Sequence, residues 1–185
     1  MTTDQLRTND LPLSTGTWVV DPAHSSVGFA IRHLGVSKVR GRFGSFDAKV
    51  QVGDGLETSS IDAVVELESV DTGNGDRDAH LRSVDLLHTE RRPTMTFRST
   101  EITGGGADWT VLGELTIGEV TGPLQLDVEF GGVEAIPGGP RHAGFEARGE
   151  LRRRDFGLDF ALPPGTAKLL GDVVKIELDI QLVEP

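Results

Sequence analysis

Every second residue from Val27 to Ile31 is large and apolar, while Ser26, Gly28, Ala30 and Arg32 between them are small or charged. Side chains of an extended chain point alternately to opposite faces, so such a segment is a strand with one buried side. The alternation returns all along the chain. Phe46, Ala48, Val50 and Val52 share a face, as do Ile61, Ala63, Val65 and Leu67. Met95 pairs with Phe97, and Trp109, Val111, Gly113, Leu115 and Ile117 line up behind them. Leu124, Leu126, Val128 and Phe130 follow, then Phe145, Ala147, Gly149 and Leu151, and finally Val174, Ile176, Leu178, Ile180 and Leu182. A Trp-led strand near Gly16 comes first, ended by the turn-forming pair Asp21-Pro22.

These segments amount to about eight or nine strands, separated by glycine-rich turns. Gly104-Gly105-Gly106 and Gly118 to Gly122 read as tight turns, and Gly131 to Pro140 as the longest loop. One helix is predicted from Asp76 to about His88, capped by Asn74 or Asp76 and barred from continuing by Pro93. Strands with hairpin connections, one-sided burial and no βαβ rhythm make an antiparallel sandwich or an up-and-down barrel. A barrel leaves no open edge for its long alternating strands, and it is the reading preferred here. The expected organisation is all-β: a polar, frayed tail over residues 1–15 and a single barrel domain over residues 16–185, with one short helix insert.

Composition narrows the partners. The net charge of −11 repels nucleic acid and an anionic membrane surface on average. The absence of cysteine excludes disulfides, thiolate metal sites and a cysteine nucleophile. Met1 to Thr15 carries two Asp and no apolar run of a secretory leader, and no stretch approaches about 18 apolar residues. A cytoplasmic location without membrane insertion is the expectation.

Polar candidates are sparse. His24, His33, His80, His88 and His142 show no metal-binding spacing, so no metal is expected. His24 follows a turn, and His33 shares parity with the apolar face of its strand. Asp21, His24, Ser25 and Ser26 lack a nucleophile elbow. Asp78, His80 and Asp85 read as a solvated helix face, and Arg152 and Arg154 as an outward strand face within an arginine run. No catalytic residue is assigned. The shared apolar face could be a filled core, or it could line a tunnel. Small residues at inward parity (Ala48, Ala63, Gly113, Ala147, Gly149) leave room for the second.

Several blocks of the sequence resemble the YceI-like family of lipid-binding proteins with a lipocalin-like barrel. Trp18-Val19-Val20-Asp21-Pro22-Ala23-His24-Ser25 is similar to its opening, and Phe29 to His33 followed by Gly35 to Phe43 to its second element. Arg77 to Ser83 resembles its helical insert; Pro93 to Phe97, Gly113 to Ile117, Arg154 to Leu158 and Leu170 to Val174 resemble later blocks, in family order. The resemblance implies an eight-stranded antiparallel barrel holding an isoprenoid lipid or isoprenoid quinone in an apolar interior, without catalysis or cofactor, and often as a homodimer. On it, Val27, Phe29, Ile31, Phe97, Leu115, Leu126, Phe145 and Ile176 are the expected ligand wall, with His33 as a polar contact for a head group. Many family members carry a secretory leader, a pattern that this N-terminus does not show. An enzyme acting on an apolar metabolite in the same cavity is the alternative.

Overall fold

Eight antiparallel staves close on one another in this protein, described by a computed structural model over residues 11–160, 164–165 and 169–184. Three staves are interrupted. The first is β1 (Gly16–Val20) continued by β2 (Ser26–His33), with the Pro22–His24 3-10 turn between them. The second is β3 (Ser37–Phe43) continued past Gly44-Ser45 by β4 (Phe46–Val52), and the third is β5 (Ser60–Glu66) continued by the short β6 (Val70–Asp71). The long strands β7 (Thr94–Gly105), β8 (Asp108–Ile117), β9 (Val120–Ala135), β10 (Arg141–Arg152) and β11 (Leu170–Val183) follow. Ring closure falls on β11, which pairs with β1 through Val19↔Val183 and with β2 through Val27↔Leu178. The all-β, lipocalin-like barrel with one helix is thus the architecture that the alternation and the family blocks predicted.

The turn inside the first stave is built by its own residues. Asp21 accepts from the Ala23 backbone N–H at 3.0 Å and from the His24 ring at 2.7 Å. His24 thus pairs with a side chain of that same turn. The turn adds three residues to this stave, so its pairing with β11 shifts from Val20↔Leu182 before it to Ser26↔Asp179 after it.

One end of the barrel is sealed by Trp18 (0% exposed), Val52, Ala143, Leu182 and Leu13. The Trp18 indole N–H donates to the Ser14 carbonyl at 3.0 Å, and the Ser14 hydroxyl bonds Glu184. Residues 11–15 are therefore no frayed tail: Leu13 is buried because the barrel end offers it an apolar seat. Residues 1–10 lie outside the described residues.

The helix is shorter than its periodicity suggested. It runs Gly75–Arg82 (α1), with the Asn74 side chain accepting from Arg77 N–H at 3.0 Å. Ser83 stops it by turning extended and bonding the His80 carbonyl through its own hydroxyl at 2.7 Å. Leu87 and His88 thus belong to a following turn, where His88 takes φ 50. The β9–β10 connection is also shorter than expected. Strand β9 runs to Ala135, so Gly131 to Ala135 belong to the ladder, in which Gly131 is the extra residue of a bulge opposite Gly144/Phe145. The last strand begins at Leu170.

Candidate functional site

Glycines on one strand set the positions of rings on the next. A Cβ at Gly41 would lie 2.4 Å from the far carbon of the Phe29 ring, and one at Gly113 would lie 2.4 Å from that of Phe97. Each ring therefore lies against its neighbour's backbone. Gly149 receives Leu126 in the same way, at 2.9 Å, and Gly122 receives Phe156 at 3.0 Å. The expectation that Gly113 and Gly149 leave lumen space is corrected by this: ring and leucine atoms fill that space. Ala48, Ala63 and Ala147 do face the interior.

With the rings held to the wall, an apolar cavity of about 480 Å³ runs inside the barrel. This is within the range of roughly 300–1,000 Å³ for small-molecule sites. Its wall includes all nine positions expected from sequence: Val27, Phe29, Ile31, His33, Phe97, Leu115, Leu126, Phe145 and Ile176. Phe29, Phe97 and Ile176 point inward yet are only half-buried, because the surface they retain faces the lumen.

Other wall residues were not singled out from sequence. Trp109 stacks on Phe130 at 5.5 Å between centroids and packs against Phe145 at 5.7 Å. Ile102 enters because Thr100 is the extra residue of a bulge in β7, which reverses parity after Ser99. Leu11 and Leu13 contribute from the sealed end.

At the opposite end, Leu81, Leu86 and Leu87 overhang the cavity. Two arginines hold this cap. Arg82 donates to the carbonyls of Glu68 and Val70, each at 2.8 Å, and Arg92 to those of Leu87 and Leu86 at 2.8 and 2.7 Å. The forked guanidinium suits such paired acceptors. Thr72, Arg77 and His80 add polar atoms on this side.

Arg153 is the least expected wall residue. It is 2% exposed and donates to the carbonyls of Gly171 at 3.0 Å and Leu158 at 2.9 Å. Its guanidinium lies 4.9 Å from the Phe160 ring centroid, and 3.9 Å from an Asp159 oxygen. It shares inward parity with Leu151, while Arg152 and Arg154 are exposed. Parity alone was the signal that could have found it.

The remaining sequence candidates do not converge. Asp78 is buried, accepting from the Thr72 N–H and hydroxyl at 2.9 and 2.6 Å, while His80 lies 3.9 Å from Asp85. His142 meets Gln181 at 2.9 Å. Two carboxyls are held below the ordinary range. The hydrogen bond from His24 does this first for Asp21, and the Gly73 N–H, then Arg42, for Asp71. Both are outside the cavity wall and serve turns.

A family model, the YceI-like domain, matches residues 18–182. The chain is similar to protein YceI of Escherichia coli O17:K52:H18, at 35% identity over 79% of this chain and 77% of that protein. Its structure is similar to that of a Campylobacter jejuni YceI protein, with TM-score 0.72, 32% identity and coverage of 89% and 96% of the two chains. It shares its fold with a polyisoprenoid-binding domain from Saccharophagus degradans, with TM-score 0.67, 17% identity and coverage of 93% and 100%.

Proposed function

The chain belongs to the YceI-like domain family, and we propose that it carries or stores an isoprenoid lipid, an isoprenoid quinone among the candidates, without transforming it. The observation that carries this reading is the continuous apolar cavity, walled by alkyl and aromatic side chains. Polyisoprenoid binding by the Saccharophagus domain of the same fold supports it. Each buried methylene contributes about 0.8 kcal/mol, so a chain of about twenty carbons gains on the order of 16 kcal/mol gross. Ordering the chain and immobilising it cancel much of this gain. The tail supplies the affinity, and a head group has only to set orientation, with His33 on the cavity wall as its proposed polar contact.

A role without catalysis is supported by the polar members of the wall. Arg153 is engaged with two carbonyls, and Asp85, 3.9 Å from His80, is not among the described residues of the cavity wall. The test is native mass spectrometry and solvent extraction of protein purified from a cell that makes isoprenoids. The expected result is a stoichiometric isoprenoid in the wild type and none in a folded Ala63→Phe variant, whose ring occupies the lumen. Wild-type protein that retains no lipid, or equal loading of the two proteins, refutes the reading.

A further inference from the structure

The β2–β3 hairpin has an outer surface unlike the rest of the molecule. Between Pro22 and Phe46 stand four Lys and Arg and no acid, in a chain of net charge −11. Arg40 and Arg42 are tied to Glu177 at 3.3 Å and Asp71 at 3.2 Å, toward the base of the hairpin. Arg32 and Lys38 flank the tip and are exposed. Between them Leu34 and Val36 are 52% and 80% exposed.

This tip has a defined shape. Leu34 sits at φ 55, in the left-handed region that a leucine enters only at a cost, and Gly35 follows at φ 73. Leu34 N–H donates to the Leu169 carbonyl at 3.0 Å and Val36 N–H to that of His33 at 3.2 Å. Two apolar side chains are thus presented to solvent between two cations. The inner face of the same hairpin, through Ile31, His33 and Val39, lines the cavity. Val84, 68% exposed, projects from the cap segment whose Leu86 and Leu87 line that same cavity.

We propose that this tip docks the protein on an anionic lipid bilayer, with Leu34 and Val36 entering the interfacial region and Arg32 and Lys38 meeting lipid phosphates. The cavity end beside the hairpin then faces the membrane. The proposal rests on the reading that the cavity takes its cargo from a membrane. The net negative charge does not oppose it, because screening over about 8 Å at physiological salt leaves the local cations in control of close approach.

The test is flotation of the full-length chain with phosphatidylcholine vesicles, alone or with roughly a third phosphatidylglycerol, a typical anionic fraction for such work. None of these vesicles contains isoprenoid. The wild type is expected to bind the anionic vesicles and to bind neutral ones far more weakly. Each cation near the surface is worth about fivefold in partitioning, so Arg32→Gln/Lys38→Gln should lose about 25-fold. Leu34→Ser/Val36→Ser should lose the binding that survives high salt, with an unchanged melting temperature. No flotation of the wild type, or flotation of both variants equal to that of the wild type, overturns the proposal. So does a dimer, seen by analytical ultracentrifugation, that dissolves in the serine variant without vesicle binding, which would make the tip a contact between copies. Lipid extracted from the same preparations separates the two readings: docking without a co-purified isoprenoid sinks the carrier role alone, and loaded protein that ignores vesicles sinks docking alone.

Discussion

Gly41→Ala tests whether glycine seats keep the lumen open. The added methyl carbon would stand 2.4 and 2.7 Å from two Phe29 ring carbons and 2.9 Å from the Thr72 methyl. Carbon contacts settle near 3.5 Å, so the ring end must retreat by about 1.1 Å. The Gly41 backbone lies on one side of the ring, so the ring retreats toward the cavity and its packing on Phe43, at 5.5 Å and 41°, must change. Overpacking of this kind costs about 1–3 kcal/mol. For a chain of this size that is a fall in melting temperature of about 2–12 °C. Bound isoprenoid, measured by extraction, should fall with it. Phe29→Leu removes the atoms that clash, so the double variant should be more stable than the sum of the two changes by about 1 kcal/mol or more. Calorimetric melts and urea titrations of all four proteins give the cycle. Additivity within about 0.5 kcal/mol, or a Gly41→Ala protein that loads lipid like its parent, refutes the seating argument.

Arg153→Leu should cost about 2–6 kcal/mol in urea unfolding, since the Gly171 and Leu158 carbonyls lose buried donors at about 1–3 kcal/mol each. Leu13→Ala should cost about 2–3 kcal/mol by the same measurement, if the segment before β1 is part of the seal at that barrel end. The Asp21 carboxyl, held low chiefly by the His24 ring, stabilises the fold above its unfolded pKa near about 3.9 and loses that contribution as pH falls through its lower folded value. Asp21→Asn should therefore melt below the parent at neutral pH, and the gap should close as the pH drops under about 4.

Much of the barrel was legible because parity in a strand survives folding. Val27, Phe29 and Ile31 face the lumen for the same reason that they alternate in sequence with small and charged residues. Parity failed where the backbone gained a residue. Thr100 in β7 turns Ile102 inward, against the phase set by Met95 and Phe97. Helical spacing misled in the opposite way: Leu87 fits a helix begun at Gly75, but Ser83 bonds the His80 carbonyl and ends it two residues after Leu81. At Arg153 two rules conflict. Charge argues for solvent and parity for the interior, and parity prevails because two carbonyls and an aromatic face receive the guanidinium.

The width of the lumen was the hardest property to read, and the reason is geometric. A pattern along one strand tells which side chains point inward, but not how far they extend into the middle. That depends on what the adjacent strand offers beside each one. Phe97 would block a narrow barrel if it stood upright. It does not, because Gly113, two residues from its β8 partner Leu115 and on the same face, has no Cβ to prop the ring. Phe29 is laid down by Gly41, its direct cross-strand partner. Large residues and an open interior are therefore compatible in this barrel, and the signal for a cavity is a pairing of ring and glycine across neighbouring strands. Such a pair becomes visible only once the register is known.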